Sequence, residues 1–550
     1  MKKRGVAVLL SAMLIMAISF AACRNVPGGR QDAAFIGDIN TDILIVGTGI
    51  SGGVAALSAL DAGARNVVII DKMAVPGGST RISGGNFTGL HASNEALPPG
   101  NWNPEVIAAH GEANFRAHWA RHTLVDANFP FPDYDRVVST FRQAREALRW
   151  LNDNGVPFAA YREQVGNNNP RLLGRLAEGG GPGFVENYMA EIERRGATIL
   201  LEHEMTRIIM SGPRVVGIEA RHRGRTITIA ARDVILATGG FTENPALWAQ
   251  WTNAYDRSLG LKRASTFACE SNTGEGILIA IRDAGADIFR HPNGQPSVWA
   301  VISGISSPAP FESFITPEGG VSLADTRRNV NFALGGTRPT GTGTEAGMPL
   351  FGLNDQIIVN QTGARFVNED QPFGSGAFNN VFNAIAREEG PCWIIYSADT
   401  TNAAMRVTLD AMANVTGQSV VFRRNSIEEL GAAIGAPGLA AAVAAYNIAP
   451  VDAFGKASNR RVPLQNGPFF AVQVRCHNII GSMGGLVTDE FGRVYRSNQM
   501  IPANIIPNLY AVGEISNRPF FGQGYVGGSC LSLFAVIGRN VGRFVAESQR

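Results

Sequence analysis

DILIVGTGISGGVAALSALDAGARNVVIID, residues Asp42–Asp71, opens with a continuous apolar run of strand type, Ile43–Val46. Gly47, Gly49 and Gly52 follow at the spacing G-x-G-x-x-G, and the Ala-rich segment behind them reads as a helix that stops at Gly63, a residue suited to the left-handed turn at a helix end. A second apolar run, Val67–Ile70, ends in Asp71, nineteen positions beyond Gly52. The pattern predicts a strand–helix–strand nucleotide cradle. The first glycine admits a tight turn, the second lets backbone approach a pyrophosphate, and the third lets helix pack closely on strand. Backbone N–H groups and the positive end of the helix then face the phosphates, and Asp71 accepts a hydrogen bond from a ribose hydroxyl. In a chain with 64 glycines the G-x-G-x-x-G alone says little, but the flanking strands and the spaced acid give it meaning.

Lys2, Lys3 and Arg4 precede an uncharged apolar segment of 18 residues, Gly5–Ala22, that ends in FAAC at Phe20–Cys23. A basic head, an apolar core and small residues before a cut site form an export signal, with a retained membrane helix as the alternative. The Ala-Ala-Cys ending resembles a bacterial lipoprotein signal, although Phe20 stands where that pattern usually has leucine. It implies an exported protein, lipid-anchored to a membrane through Cys23. Residues 1–22 are thus expected as signal peptide and 23–40 as a flexible linker.

The remainder, 45% hydrophobic over a 550-residue chain, suits two domains or more. Loss of the signal removes three basic residues and leaves 45 basic against 46 acidic, so no surface for nucleic acid is implied. Cys269, Cys392, Cys476 and Cys530 are too sparse for a disulfide scaffold and form no C-x-x-C, which gives no case for an attached haem, an iron–sulfur cluster or another metal site. Redox chemistry needs a different carrier.

A second glycine cluster follows Asp71, KMAVPGGSTRISGGNF, with Gly77-Gly78, Ser79-Thr80 and Gly84-Gly85. So many small residues suit a long extended FAD lying along the backbone. The segment is similar to the FAD-binding region of the FAD-dependent oxidoreductase 2 family, which comprises fumarate reductase and succinate dehydrogenase flavoproteins, flavocytochrome c and 3-ketosteroid dehydrogenases. Its spacing is closer to the ketosteroid-dehydrogenase-like branch. The resemblance implies an α/β fold: a Rossmann-like FAD-binding domain of the GR2 type, three-layered with a small β-meander, and an inserted α+β capping domain. FAD-binding parts are expected at 41–287 and 477–550, with the capping, substrate-covering domain at 288–476. The histidine that carries covalent FAD in membrane succinate dehydrogenases is absent from this segment, which implies non-covalent FAD.

Further along, Tyr134–Asn154 has helical apolar spacing, a second helix is expected over Gly183–Arg195, and Met205–Met210, Arg214–Ala220 and Arg225–Ala230 alternate like strands of a small sheet. Asp233–Gly240, DVILATGG, is another strand breaking into glycines. Asn272–Asp287 resembles the family's T-G-D-G turn and helix, with Glu275 in place of the aspartate that bonds FAD, although an acid at a helix start is also a good N-terminal charge. Ser426 and Glu429 form a capping box opening a helix to Asn447. The chain returns to the cofactor at Ser482–Leu486, Leu509–Glu514 and Gly522–Leu533. The expected cofactor contacts are Gly47, Gly49, Ser51, Gly52, Asp71, Lys72, Gly78, Ser79, Thr80, Ser83, Gly84, Gly85, Met205, Ala237, Thr238, Gly239, Glu275 and Glu514, with Ser529, Cys530 and Leu531 at the start of a last helix that faces the flavin's pyrimidine end.

The resemblance parts from the sequence at catalysis. The R-F-V-N-E motif is present at Arg365–Glu369, but four residues on, where fumarate reductases place an arginine and ketosteroid dehydrogenases a tyrosine, stands Phe373. The second substrate arginine of the fumarate enzymes is replaced by Tyr525, as in the ketosteroid branch. Tyr525 is therefore the first candidate for proton transfer or carbonyl polarisation. His477 is the second, with a satisfied histidine at a domain junction as its alternative. Simple fumarate reduction is disfavoured unless Arg327, Arg328 or Arg338 substitutes. The expected activity is reduction or formation of an activated C=C bond beside a carbonyl in a small-molecule substrate. The electron partner is external, a quinol pool or a separate redox protein. The alternatives are a ketosteroid-like dehydrogenase or oxidase of cyclic ketones, and a catalytically inert flavin-binding lipoprotein.

Overall fold

The computed structural model describes residues 37–88, 133–162, 174–177, 179–251, 269–306, 356–369, 421–456, 461–521 and 529–550, with parts of 381–414 and residue 458. Gly37–Arg550 form one compact unit. The expected signal peptide and Cys23 lie outside the described residues, as do Arg327, Arg328, Arg338, Phe373 and Tyr525.

β1 (Ile39–Val46) leads through the glycine turn into a helix at Ile50–Asp61, and β2 (Val67–Ile70) returns parallel to β1. Asp38 and the start of β1 belong to the folded unit, so the expected linker is too long: Asp38 accepts from Thr228 N at 2.8 Å and Ile39 pairs with Ile229. β3 (Asn86–Thr88), β4 (Phe158–Arg162) and β5 (Gly174–Ala177) form a separate three-stranded sheet. The helix expected over Tyr134–Asn154 is two helices, Tyr134–Arg142 and Ala144–Asp153, because Gln143 has ψ −10° and bonds back to Thr140 O in a tighter turn. A helix at Gly180–Arg194 and β6 (Thr198–Leu200) follow.

β7 (Glu204–Ser211), β8 (Arg214–His222) and β9 (Arg225–Leu236) form an antiparallel meander that is fused to the main sheet. The two strands expected at Arg225–Ala230 and from Asp233 are one twelve-residue strand. The first part of β9 pairs with β8, while pairing with β1 runs from Ile229 to Leu236. After the helix Glu275–Ala284 come β10 (Trp299–Ser306), β11 (Ile357–Val359), β12 (Cys392–Tyr396), β13 (Val421–Arg424) and β14 (Phe469–Met483), which build a second, five-stranded sheet. β14 is its spine, pairing with β10, β12 and β13, and it runs to Met483. The boundary expected at 476/477 therefore cuts a continuous strand. The segment around 288 likewise stays with the first sheet's end of the molecule, since Phe289 N bonds Gly485 O and Val487 N bonds Asp287 O. The capping box at Ser426 and Glu429 is present, but its helix ends at Ile434 because Gly435 turns left-handed (φ +67°), and Leu439–Ile448 is a separate helix.

β15 (Arg493–Tyr495) and β16 (Ile505–Ala511) complete the main sheet in the order β15-β16-β9-β1-β2-β6. The C-terminal helix Ser529–Ser548 packs on the Ile50–Asp61 helix, with Gly538 against Ser51 O and Gly542 against Ala55 O. A Cβ at either glycine would collide with that backbone, so these positions let the tail of the chain dock on its head.

Candidate functional site

The parallel strands β1, β9 and β16 end side by side: Ala237 N donates to Val46 O at 2.8 Å, and Val512 N to Leu236 O at 2.9 Å. A cleft opens beyond these carboxyl ends, the place where open α/β sheets bind nucleotides. Of the residues expected from the sequence, it is lined by Gly47, Gly49, Ser51, Asp71, Lys72, Gly78, Ser79, Thr80, Met205, Ala237, Thr238, Gly239, Glu275 and Glu514.

The three glycines of the first turn divide their work. Gly47 has φ +111° and lies so close to Ala237 O that no Cβ fits. Gly52 is equally tight against Gly47 O, so it does not line the cleft but holds helix to strand. At Gly49 the protein itself makes no such demand: the nearest atoms to an added Cβ are 3.9 Å away; at Gly78 there is nothing within 4 Å, although its φ of +48° already favours glycine. The free space over Gly49 and Gly78 is what an extended dinucleotide lying on bare backbone requires, so the residues present fit FAD. Gly49, as N-cap, places no side chain over the helix N-terminus, the end of a helix that favours phosphate.

Asp71 is held rigidly. Its Oδ2 accepts from Thr48 N (2.9 Å) and Thr48 Oγ1 (2.5 Å), and its Oδ1 from Met73 N (2.9 Å). A carboxylate oxygen has two lone pairs, so Oδ1 retains one for a ribose hydroxyl. Beside it Lys72 Nζ bonds Thr273 Oγ1 at 2.8 Å and pairs with Glu275 at 2.5 Å. The two expected cofactor contacts thus neutralise one another across the cleft. Thr80 Oγ1 accepts from Ile50 N (3.0 Å), tying the second glycine segment to the first helix.

Glu514 accepts from Ser482 N (2.6 Å), Ser482 Oγ (2.9 Å) and Asn272 Nδ2 (3.3 Å). Burial raises its pKa above the ordinary carboxylate value, against the lowering effect of these donors. The same Asn272 amide reaches Ser79 Oγ at 3.3 Å. Asn272, almost fully buried, therefore joins three segments far apart in sequence. Gly239, Gly240 and Gly276 are sockets in this wall: a Cβ there would meet Asn272, Ser482 with Glu514, and Thr238 respectively.

Several expected cofactor residues lie outside this cleft. Ser83, Gly84 and Gly85 do not line the cleft; Gly181 N bonds Ser83 O, and Gly85 (φ +72°) abuts Gly180, so this half of the second cluster packs against the start of the Gly180–Arg194 helix. Ser529, Cys530 and Leu531 open the C-terminal helix outside the cleft lining, and Phe534 is the residue of that helix that reaches it. His477 sits on β14 with its backbone opposite Gly304, and its side chain is outside the described residues, as is Tyr525. The sequence reading missed Val46, Ile50, His203, Glu204, Ser271, Asn272, Gly276 and Phe534 as cleft residues. Asn272 and Gly276 lie within the segment already singled out around Glu275, whereas an isolated Phe or His carried no signal.

Asn272→Ala removes the bridge and leaves Glu514 with one donor fewer. FAD affinity is expected to fall about tenfold, the scale of one hydrogen bond to a charged group. Titration of apoprotein followed by flavin fluorescence measures it, and an unchanged Kd would show that the bridge does not shape the cleft.

Fold and cleft define an α/β dinucleotide-binding protein. Residues 42–296 and 321–531 match the FAD binding domain family, so the chain belongs to that family and its cofactor is FAD. It is 23% identical to an NADH:acrylate oxidoreductase of Vibrio harveyi over 92% of this chain, but it spans only about half (50%) of that relative's length. It is 25% identical to a 4-oxocyclohexanecarboxylate 2-dehydrogenase of Sinomonas cyclohexanicum, covering 92% of each chain. Among solved structures it shares the fold of a 3-ketosteroid Δ4-(5α)-dehydrogenase from Rhodococcus jostii RHA1, with TM-score 0.63 and 20% identity over 94% of this chain and 99% of that one.

Proposed function

We propose that the chain is an FAD-dependent oxidoreductase that reduces or forms an activated C=C bond next to a carbonyl. The observation that carries this reading is that one cleft is lined by Gly49, Gly78, Thr238 and Glu514, from four separate segments, in a chain similar to an NADH:acrylate oxidoreductase and a 4-oxocyclohexanecarboxylate 2-dehydrogenase. When bound, FAD supplies two-electron chemistry, exchanging a hydride at flavin N5 with one carbon of the substrate. The chain's own residues hold FAD without a covalent link, exclude water, and move a proton at the neighbouring carbon. Tyr525 is our first candidate for that proton and His477 the second.

In the finer reading the main sheet belongs to a Rossmann-like domain of the GR2 type, and the five-stranded sheet around β14 to an inserted α+β cap that covers the substrate. Electrons come from or go to an external partner, a quinol pool or a separate redox protein. The N-terminal segment supports export and anchoring through a lipid on Cys23 at the outer face of a membrane. A second reading, a dehydrogenase of cyclic ketones, is favoured by the end-to-end match to the oxocyclohexanecarboxylate enzyme.

The test is anaerobic photoreduction of the purified holoprotein followed by open-chain enoates and cyclic enones. Rapid reoxidation by one class identifies the substrate type. No reoxidation by any of them would overturn the enzyme reading in favour of an inert flavin carrier. Flavin released into the supernatant on acid precipitation is the expected sign of non-covalent binding.

A further inference from the structure

His203 and His222 lie face to face, ring centroids 4.2 Å apart and planes within 10°. Each ring is pinned at its edge: His203 Nδ1 lies 2.7 Å from Leu201 O and His222 Nδ1 3.1 Å from Glu202 O. A carbonyl only accepts, so both Nδ1 atoms carry hydrogen and neither ring is free to flip. The backbone of His203 is fixed too, its N donating to Asp71 O at 2.8 Å. Glu202, whose carbonyl is the second of these pins, is a non-glycine residue at φ +58°. The other non-glycine left-handed residue nearby, Arg223 (φ +48°), is explained by its place with Gly224 in the two-residue turn between β8 and β9. Glu202 has no hairpin to explain it. Residues held in such a conformation cluster at functional sites, and this one immediately precedes His203.

His203 also lines the FAD cleft, next to Met205 and on the Asp71 side. Asp71, at the end of β2, marks the ribose of the adenosine half, so His203 belongs to the adenine end. We propose that His203, backed by His222, is an adenine-recognition residue: the stacked imidazoles form a rigid aromatic wall against which the purine of FAD is held.

The test is titration of apoprotein with FAD, ADP and FMN, comparing the parent with His203→Ala, His203→Phe and His222→Ala. Loss of an aromatic platform for one base costs on the order of tenfold in affinity. His203→Ala is expected to weaken FAD and ADP together by about tenfold and to leave FMN, which has no adenine, unchanged. His203→Phe keeps a flat ring and should stay within about threefold of the parent, while His222→Ala, which removes only the backing, should lie between. Equal weakening of FMN and FAD by His203→Ala would reveal a merely structural role and overturn the proposal. So would parental affinity for FAD and ADP in His203→Ala, or a His203→Phe protein as weak as the alanine variant.

Discussion

Replacing Arg365 with methionine is expected to destabilise the folded chain by about 3–5 kcal/mol, the cost of stripping one partner from a buried ion pair. Arg365 is held in a fork: its Nε and Nη2 bond Glu369 at 3.0 and 2.7 Å, and its Nη1 bonds Asp452 at 2.7 Å. Both carboxylates are sealed from water, at 0% and 1% side-chain exposure. The guanidinium also lies over the rings of Tyr446 and Phe454, 4.9 and 5.1 Å from their centroids. Methionine fills much of the same space, so the loss is one of charge: Glu369 and Asp452 would face each other with Lys456 Nζ, 3.9 Å from Glu369, as a remaining cation. Urea unfolding followed by tryptophan fluorescence suits the measurement, because Trp393 is buried in the adjoining core with Tyr446 and Leu430. A loss below about 1 kcal/mol would refute the network's role.

The pH dependence has a definite sign. Burial alone would push the Asp452 carboxyl up, but hydrogen bonds from Arg365, Lys456 N and Phe454 N outweigh it and hold the pKa below the ordinary value. Its contribution to stability is therefore fully present above about pH 4, where the unfolded carboxyl is already ionised. It is lost as pH falls through the lower folded value. In Arg365→Met this acid-side slope should shrink, since the leading cause of the depression is gone.

The same cluster shows where sequence reasoning reaches and where it stops. Arg365 and Glu369 stand four apart in a quotable motif, but Asp452 reaches Arg365 and Lys456 reaches Glu369 only through the fold, each across 87 positions. The strand, glycine turn, helix and Asp71 were legible because each rests on local rules: apolar runs, a left-handed glycine at Gly63, an acid at fixed spacing. The capping box at Ser426 was legible for the same reason. Gly77–Thr80 and Ser83–Gly85 look alike in sequence, yet Gly78 faces open space and Gly85 faces the backbone of Gly180. Glycines that border an open cleft and glycines that abut a neighbouring chain segment leave the same letter. The continuity of β9 depended on pairing with β8 on one side and β1 on the other, a non-local choice. Asn272 lies in a segment the sequence singled out, but its own role was hidden because a single amide has no periodicity and acquires its importance from Ser79 and Glu514, 193 and 242 positions away.

Gly49→Ala separates that ambiguity experimentally, and its effect on cofactor is expected to be the largest of any single methyl in the chain. Gly49 has φ −59° and ψ 172°, a conformation that alanine adopts freely. Its added Cβ meets nothing closer than 3.9 Å, so the apoprotein should unfold within about 1 kcal/mol of the parent: the weaker N-cap is offset by the stiffer unfolded chain. The methyl instead enters the space where backbone must approach a pyrophosphate. Losing about two charge-assisted N–H contacts at 1.5 kcal/mol or more each weakens FAD by about a hundredfold. Gly52→Ala is the control with the opposite logic. There the methyl collides with Gly47 O and the Ala237 side chain, and overpacking of about 1–3 kcal/mol should appear in the apoprotein before any cofactor is added. Apoprotein melting and FAD titration on both variants distinguish the two roles. If Gly49→Ala bound FAD like the parent, the cradle between β1 and β2 would not be where the pyrophosphate lies, however closely its spacing resembles one.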